Sequence, residues 1–454
     1  MMTARIVKIL VLSLSTAIIF ATGLPGFAAD GENWTYWRGP QSHGVAAGDA
    51  PLNWDDTNNV RWKIEIPGRG NSSPIIWGEK IFVTTAVPTG SAPPKAPAPK
   101  AAPAKKAGRG FNPMGNQGPP AEHTFEIHCY DRNTGKLLWK KTARTAVPHE
   151  GFHGQYGSFA SNSPVTDGKY VYAFFGSRGI YCYDLEGNLI WEKDFGVPMK
   201  MRMAFGEGIA PVVSGDRLIL VFDHEGDSFI AVLDKNSGEE IWRLDREEGS
   251  NWAAPLVVDY KGQKQIIVNG TNKVRCYDFE TGKLIWECGG LGANPIPQPV
   301  AQGDMVFVMT GYRDPNLMAI KLGGSGDLTG TDAIVWSQTR GNSYTASPVL
   351  HDNKLYVLTD NGMISCYNAT TGEPYYHQQR LPQTYSFNAS PVAAGGKLYL
   401  ASENEDVVVL KLGEEFEVLA TNTMTDQMFV ASPAISRGEI FLRSQKYLYC
   451  IGDE

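Results

Sequence analysis

Residues 149–153 read His-Glu-Gly-Phe-His, a literal match to the H-E-x-x-H pattern of zinc peptidases. In that pattern two histidines one helical turn apart hold the metal, and the glutamate works on its bound water. The chemistry needs a helix, and the flanking residues argue against one. Pro148 precedes the first histidine, and glycines stand at 151, 154 and 157. The stretch is therefore expected in a loop between strands, and neither a metal site nor a catalytic residue is assigned to it. A second dense cluster, Asp223-His224-Glu225-Gly226-Asp227-Ser228, has the oxygen chemistry for Ca²⁺ but not the spacing of an EF-hand loop. A solvated hairpin turn is the expected reading.

The elements that must position these residues are announced by repetition. CYDRNTGKLLW (129–139), CYDLEGNLIW (182–191), VLDKNSGEEIW (232–242), CYDFETGKLIW (276–286) and CYNATTGEPYY (366–376) share one plan. Each is a short apolar run, an Asp or Asn, a turn containing Gly, and an aromatic residue. This is a β-hairpin: the Asp or Asn oxygen accepts turn N–H groups, and Gly supplies the positive φ. Trp62, Trp139, Trp191, Trp242, Trp286 and Trp336 are read as structural tryptophans on outer strands, filling the wedge between neighbouring sheets. A second mark, a small residue or Gln before Pro, recurs at Pro74, Pro164, Pro211, Pro255, Pro299, Pro348, Pro391 and Pro433. With an insertion at 88–121 removed, the period lies in the forties to fifties, with four strand-like runs in each. That pattern predicts an all-β, eight-bladed propeller of four-stranded antiparallel blades over residues 59–454. The last repeat lacks its fourth strand, and Asn59–Ile66 is an orphan one carrying Trp62. The N-terminal strand is therefore expected to complete the C-terminal blade and close the ring, which leaves no free edge. Residues 29–58 are expected to form a strap over it.

In such a ring the links between blades and the turns between second and third strands share one face around the central channel. The links bring His149, Glu150, His153, Tyr156, Arg202, Glu207, Trp252, Asn294, Tyr344 and Asn388 to it. The turns bring Arg178, His224, Glu225, Asp227, Tyr312, Arg313, Glu403 and Arg443. Polar and aromatic groups converging on a cavity are the makings of a ligand site, and these residues are the candidate ligand-binding rim.

Residues 1–28 have the composition of a secretory signal: Arg5 and Lys8, an apolar run from Ile9 to Phe20, and small residues at Gly26 and Ala28. Export to the periplasm or outside the cell is expected, with no membrane span after cleavage. Cys129, Cys182, Cys276, Cys366 and Cys450 hold equivalent places in successive repeats, too far apart to bridge. They are read as small core residues, and Cys288 with them. The 88–121 insertion is rich in Pro, Ala and Lys and has no acid; it is expected to be a disordered, solvated loop, with contact to an anionic envelope polymer as the other reading. The chain carries −7. Setting aside the signal's +2 and the insertion's +5 leaves −14, the wrong sign for a nucleic-acid-binding ring.

The Asp-x-x-Thr-Gly-Lys-x-x-Trp pattern, with good matches at 131–139, 234–242 and 278–286, resembles the pyrroloquinoline-quinone (PQQ) repeat. With a W-x-x-W-R-G-P segment at Trp34–Pro40, the chain resembles exported bacterial PQQ-repeat propellers. It is similar to the outer-membrane β-barrel assembly lipoprotein propeller on one side and to quinoprotein dehydrogenases on the other. The first likeness implies a non-catalytic propeller that binds an exported protein or envelope polymer through its rim, as a monomer. The second implies a PQQ- and Ca²⁺-dependent alcohol or sugar dehydrogenase, with Arg178, Arg202, Arg313 and Arg443 available to quinone carboxylates and Glu150, Glu207 or Asp227 as base. The sequence lacks the adjacent cysteine pair and the C-x-x-C-H motif of that branch, and the lipid-anchor cysteine of the other. The non-catalytic binding propeller is the expectation carried forward, with no cofactor firmly implied.

Overall fold

In a computed structural model the described residues are 32–90 and 121–452; the signal reading and most of the insertion lie outside them. Eight antiparallel sheets follow one another along the chain. Blade one is Ile75–Trp77, Lys80–Pro88, His123–Asp131 and Leu137–Ala146, so the insertion hangs from the turn between its second and third strands. Each of the eight prolines immediately precedes an innermost strand. In blade eight, Ala434–Ser436, Glu439–Arg443 and Tyr447–Ile451 are completed by Val60–Glu65. The ring is therefore closed by its own N-terminal strand, as expected.

Two sets of contacts join the blades. On the outside, the tryptophan of one blade docks on the hairpin turn of the next. Its indole N–H donates to the carbonyl just after the turn's Asp or Asn: Trp62 to Arg132, Trp139 to Leu185, Trp191 to Lys235, Trp242 to Phe279 and Trp336 to Ala369, at 2.8–3.3 Å. The ring covers the turn glycine so closely that no side chain fits. Gly282 has φ +72°, and a Cβ there would lie 2.8 Å from Trp242. Near the axis space is short, and the residue before the proline is small in every blade but the fifth, where it is Gln298; its N–H is buried and needs a partner. Serine hydroxyls of the following blade supply it at five junctions: Ser73 donates to Ser163, Gln298 to Ser347, Ser347 to Ser390, Ser390 to Ser432, and Ser432 back to Ser73.

One blade departs from the four-stranded plan. In blade four (Leu256–Tyr260, Gln263–Val268, Val274–Asp278, Leu284–Cys288), a short fifth strand, Gly326–Asp327, pairs parallel with the outer one. Blade five has no tight glycine turn to receive Trp286. Its longer hairpin folds back instead and brings Leu328 into the same apolar cluster as Trp286, which is fully buried. All six cysteines are buried and unpaired. Among the described residues no helix is long and apolar enough to cross a membrane.

Six of the residues before the prolines line a central cavity, and the 32–58 segment lies along inner strands that follow them. Trp34 bridges Ile76, Val45 bridges Ala393, and the Thr35 carbonyl accepts from Thr166. Between these anchors Tyr36 reaches Gln298. Arg38 is fully buried and has no carboxylate partner among the described residues, donating to the Pro391 and Pro348 carbonyls. The segment thus stops the channel from one end.

The outer lock separates two costs that glycine hides. Gly262 also has a positive φ but has nothing within 4 Å of a would-be Cβ. Gly262→Ala is expected to lose about 1 kcal/mol, the backbone term alone. Gly282→Ala should lose roughly 2–3 kcal/mol, because it also pushes Trp242 out of place. Chemical denaturation of both variants measures the difference.

Candidate functional site

The stopped channel leaves a funnel of about 720 Å³ open at the other end. Trp37 from the strap and the pre-proline residues Ser73, Ser163, Ala210, Ala254, Ser390 and Ser432 lie in its depth. The wall is built from links and turns. Of the residues singled out in the sequence, His153, Tyr156, Arg202, Glu207, Trp252, Asn294, Tyr312, Tyr344, Asn388 and Glu403 line it.

The link before blade three is the most constrained part of that wall. Met203 and Ala204 hold φ of 52° and 50°, a region costly for residues with a Cβ. Phe205 and Gly206 follow, and the Gly206 carbonyl accepts the Trp252 indole at 2.8 Å. Glu207 accepts the Ser177 N–H and hydroxyl, both at 2.6 Å. Burial raises its pKa against those hydrogen bonds. On the opposite wall, Asp360 accepts from the Tyr344 and Thr345 N–H groups at 3.1 and 3.0 Å and from the Thr345 hydroxyl at 2.6 Å. Burial raises its pKa too. Glu403 accepts from Asn388 and faces the Tyr156 hydroxyl; burial pushes its pKa up to about 7, with the Asp360 charge adding to the rise. Aromatic faces complete the lining, with Tyr312 stacked on Tyr344 at 5.2 Å and His153 on Tyr156 at 4.7 Å.

The other candidates lie elsewhere. His149 uses both ring nitrogens: one donates to the Met199 carbonyl at 2.7 Å, and the other accepts from Arg178 at 3.1 Å. Glu150 accepts from the Met201 N–H. His153 accepts the Tyr156 N–H. No helix spans 147–162, so the HEGFH stretch works as loop bracing, and its donors do not converge. Arg178 also holds the Val147 carbonyl. Arg443 is buried against the Ser72 carbonyl, its pKa lowered to about 10 by desolvation. Arg313 is exposed over the Tyr312 ring. In the 223–228 turn Asp223 points inward to Arg246, His224 is buried, and Glu225 and Asp227 are exposed. Among the described residues no group of three or more His, Cys, Asp or Glu is arranged to hold a metal. Asp360, Thr345, Phe205, Phe387 and Trp37 are lining residues that sequence reasoning passed over. Asp360 occupies the same second-to-third-strand turn as Tyr312 and Glu403, and that equivalence was the available signal.

The family described as outer membrane protein assembly factor BamB matches residues 123–288, 226–329 and 322–453. The chain is 20% identical over 293 residues to the outer membrane protein assembly factor BamB of Yersinia pestis. That match covers 63% of this chain and 58% of the relative, less than two thirds of its length. Among solved structures the chain is similar to BamB from Moraxella catarrhalis, with TM-score 0.51 and 13% identity, covering 72% of this chain and 89% of that one. It is also similar to the quinohemoprotein alcohol dehydrogenase from Comamonas testosteroni, with TM-score 0.61 and 10% identity, covering 94% and 82%. At these identities the structural likenesses speak for the fold.

Glu403 gives the funnel wall a pH signature. Its folded pKa is raised above the unfolded value, so the native chain keeps a proton that the unfolded chain gives up. Stability then falls as pH rises from about 4.5 to about 7, and the loss stays in place above that. Glu403→Gln has no such proton. Relative to the unmodified chain it should gain stability across that window and run parallel outside it, as read by denaturation midpoints between pH 4 and pH 8.5.

Proposed function

The chain belongs to the outer membrane protein assembly factor BamB family, and from that membership we propose that it is an exported, non-catalytic propeller binding a protein partner at the funnel face. The observation that carries this reading is the funnel itself. It combines aromatic faces with few but fixed polar groups, the composition of a recognition site. Its side chains are held by local hydrogen bonds, so little entropy is lost on binding. The signal-like residues 1–28 support a place in the periplasm or outside the cell, and an envelope polymer is the second class of partner. The last blade is completed by the chain's own N-terminal strand, so its third strand offers no open edge to a second copy, which favours a monomer.

The donor set does not fit a Ca²⁺-bound quinone. A Ca²⁺ ion takes six to eight oxygen ligands, yet Glu207 spends both oxygens on Ser177, and Asp360 keeps free only a lone pair on the Oδ2 that the Tyr344 N–H also engages. Only Arg202, of the four arginines considered for quinone carboxylates, lines the cavity. No step is therefore derived through that cofactor.

Affinity capture from an envelope fraction tests the binding reading. Trp252→Ala with Tyr344→Ala should reduce recovery of a specific partner at least about tenfold, since interface aromatics often carry 1–2 kcal/mol or more each. Leu284→Ala, on an exposed outer strand, should leave recovery unchanged. Equal recovery by all three proteins overturns the reading.

A further inference from the structure

The charges of the funnel are unevenly placed. Asp360 and Glu403 belong to the turns of blades six and seven and stand on one side, near enough for the Asp360 charge to disfavour ionisation of Glu403. Among the described residues neither is within ion-pair distance of a cation, whereas buried Asp223, Glu248 and Glu439 each have an arginine. The difference is the space in front of them. Those arginine-paired carboxylates are enclosed in the protein, while these two border an open cavity wide enough for a group brought from outside. Arg202, among the described residues the one lysine or arginine in the lining, comes from the link before blade three and lies beside Tyr344. It leaves the blade-seven side of the funnel acidic.

Two further features point the same way. Tyrosines border the carboxylates: the Tyr156 hydroxyl meets Glu403, and Tyr344 is fixed to Asp360 through its own N–H. Aromatic groups near a carboxylate suit an organic cation, which gains from both the negative charge and the ring quadrupole. The acidic surface also runs over the lip. Glu403 is shared with a shallow groove that contains Glu405 and Asp426 alongside Met428.

We propose that the funnel accepts a cationic side chain, the ammonium of a lysine or the guanidinium of an arginine on a protein partner, between the Glu403 and Asp360 carboxylates and the rings of Tyr156 and Tyr344. The proposal rests on the partner-binding reading above and specifies its chemistry. The 720 Å³ cavity admits one such side chain with its bound water, and the groove outside continues the charge match for the residues beside it. Binding is coupled to pH. Burial raises the pKa of both Glu403 and Asp360, with Asn388, Tyr156, Tyr344 and Thr345 as their hydrogen-bond donors and Arg202, His153, Glu207, Glu405 and Asp426 as the surrounding charged or titratable groups. An arriving cation favours the ionised carboxylates and expels a proton. Affinity should therefore rise between about pH 5.5 and pH 8 and level off above.

The test titrates the purified chain with acetyl-trilysine amide and with the same peptide acetylated on its side chains, following tryptophan fluorescence and isothermal titration heats. The charged peptide should bind, the acetylated one at least about tenfold more weakly. Affinity should fall about tenfold from pH 8 to pH 5.5. Glu403→Gln with Asp360→Asn should lose about tenfold, and Glu403→Gln alone should lose part of that, which covers a double variant that folds poorly. Asp332→Asn with Glu373→Gln removes the same charge from exposed outer positions and should change nothing. Equal binding of the acetylated peptide, or equal loss in the outer variant, overturns the proposal. The two readings fail separately. A partner whose capture needs Trp252 and Tyr344 but not Glu403 and Asp360 removes the cationic assignment and keeps the funnel as the binding face. A capture indifferent to all four removes both.

Discussion

The contact on which the ring depends is the seat of a tryptophan on its neighbour's glycine. At five junctions an indole ring closes over a turn where a Cβ would lie 2.5–2.8 Å from it, and the indole N–H takes the carbonyl just after the turn's Asp or Asn. The seat needs a residue at φ near +70°, a carboxylate or amide to hold the turn, and a large flat ring on the preceding blade. These needs explain the repeated Asp-x-x-Thr-Gly pattern without reference to any ligand. Trp286 is the case in which the seat is missing. Its neighbour offers no tight turn, so the chain adds eleven residues between Leu322 and Ile334 and covers the ring with its own backbone and Leu328.

Closing the ring creates a channel, and the strap converts the channel into a cup. Arg38 is the costly part of that arrangement: a guanidinium with no counter-ion among the described residues, its pKa lowered to about 9 by desolvation. Carbonyl oxygens of Pro348 and Pro391 accept its hydrogen bonds, and the Trp37 ring lies 5.6 Å from it. A stopper of this kind ties blades six and seven to the N-terminal segment and sets Trp37 in the depth of the funnel. The site is thus assembled from residues more than three hundred positions apart, and no single blade contains it.

The fold was legible because it is written repeatedly. Eight prolines mark eight inner strands, the hairpin pattern marks the outer pairs, and the orphan strand around Trp62 forecasts closure. The funnel was legible only through topology. Knowing that links and turns share a face brings the right segments together, yet it cannot say which side chains turn inward. His149 and Arg178 satisfy each other and nearby carbonyls, Arg443 is drawn beneath the rim by Ser72, and Asp223 is drawn into the core by Arg246. Each is a polar residue that found a local partner, and local partners leave no trace in residue type. Asp360 illustrates the converse. In Thr-Asp-Asn-Gly it looks like any hairpin acid, and only its equivalence to Glu403 one blade on marks it as a wall residue. Trp37 escaped notice as floor because a strap's path across a ring is not periodic.

The most direct test of the central claim, that the funnel face meets the partner, is site-specific photocrosslinking in intact cells. A photoreactive residue would be placed at Met203, exposed at the funnel, or at Leu284, exposed on the outer edge of blade four. The account expects one discrete crosslinked species from position 203 and none from 284. Crosslinks that form from 284 and not from 203 would contradict it, and would move the function of this propeller from its cup to its outer edge.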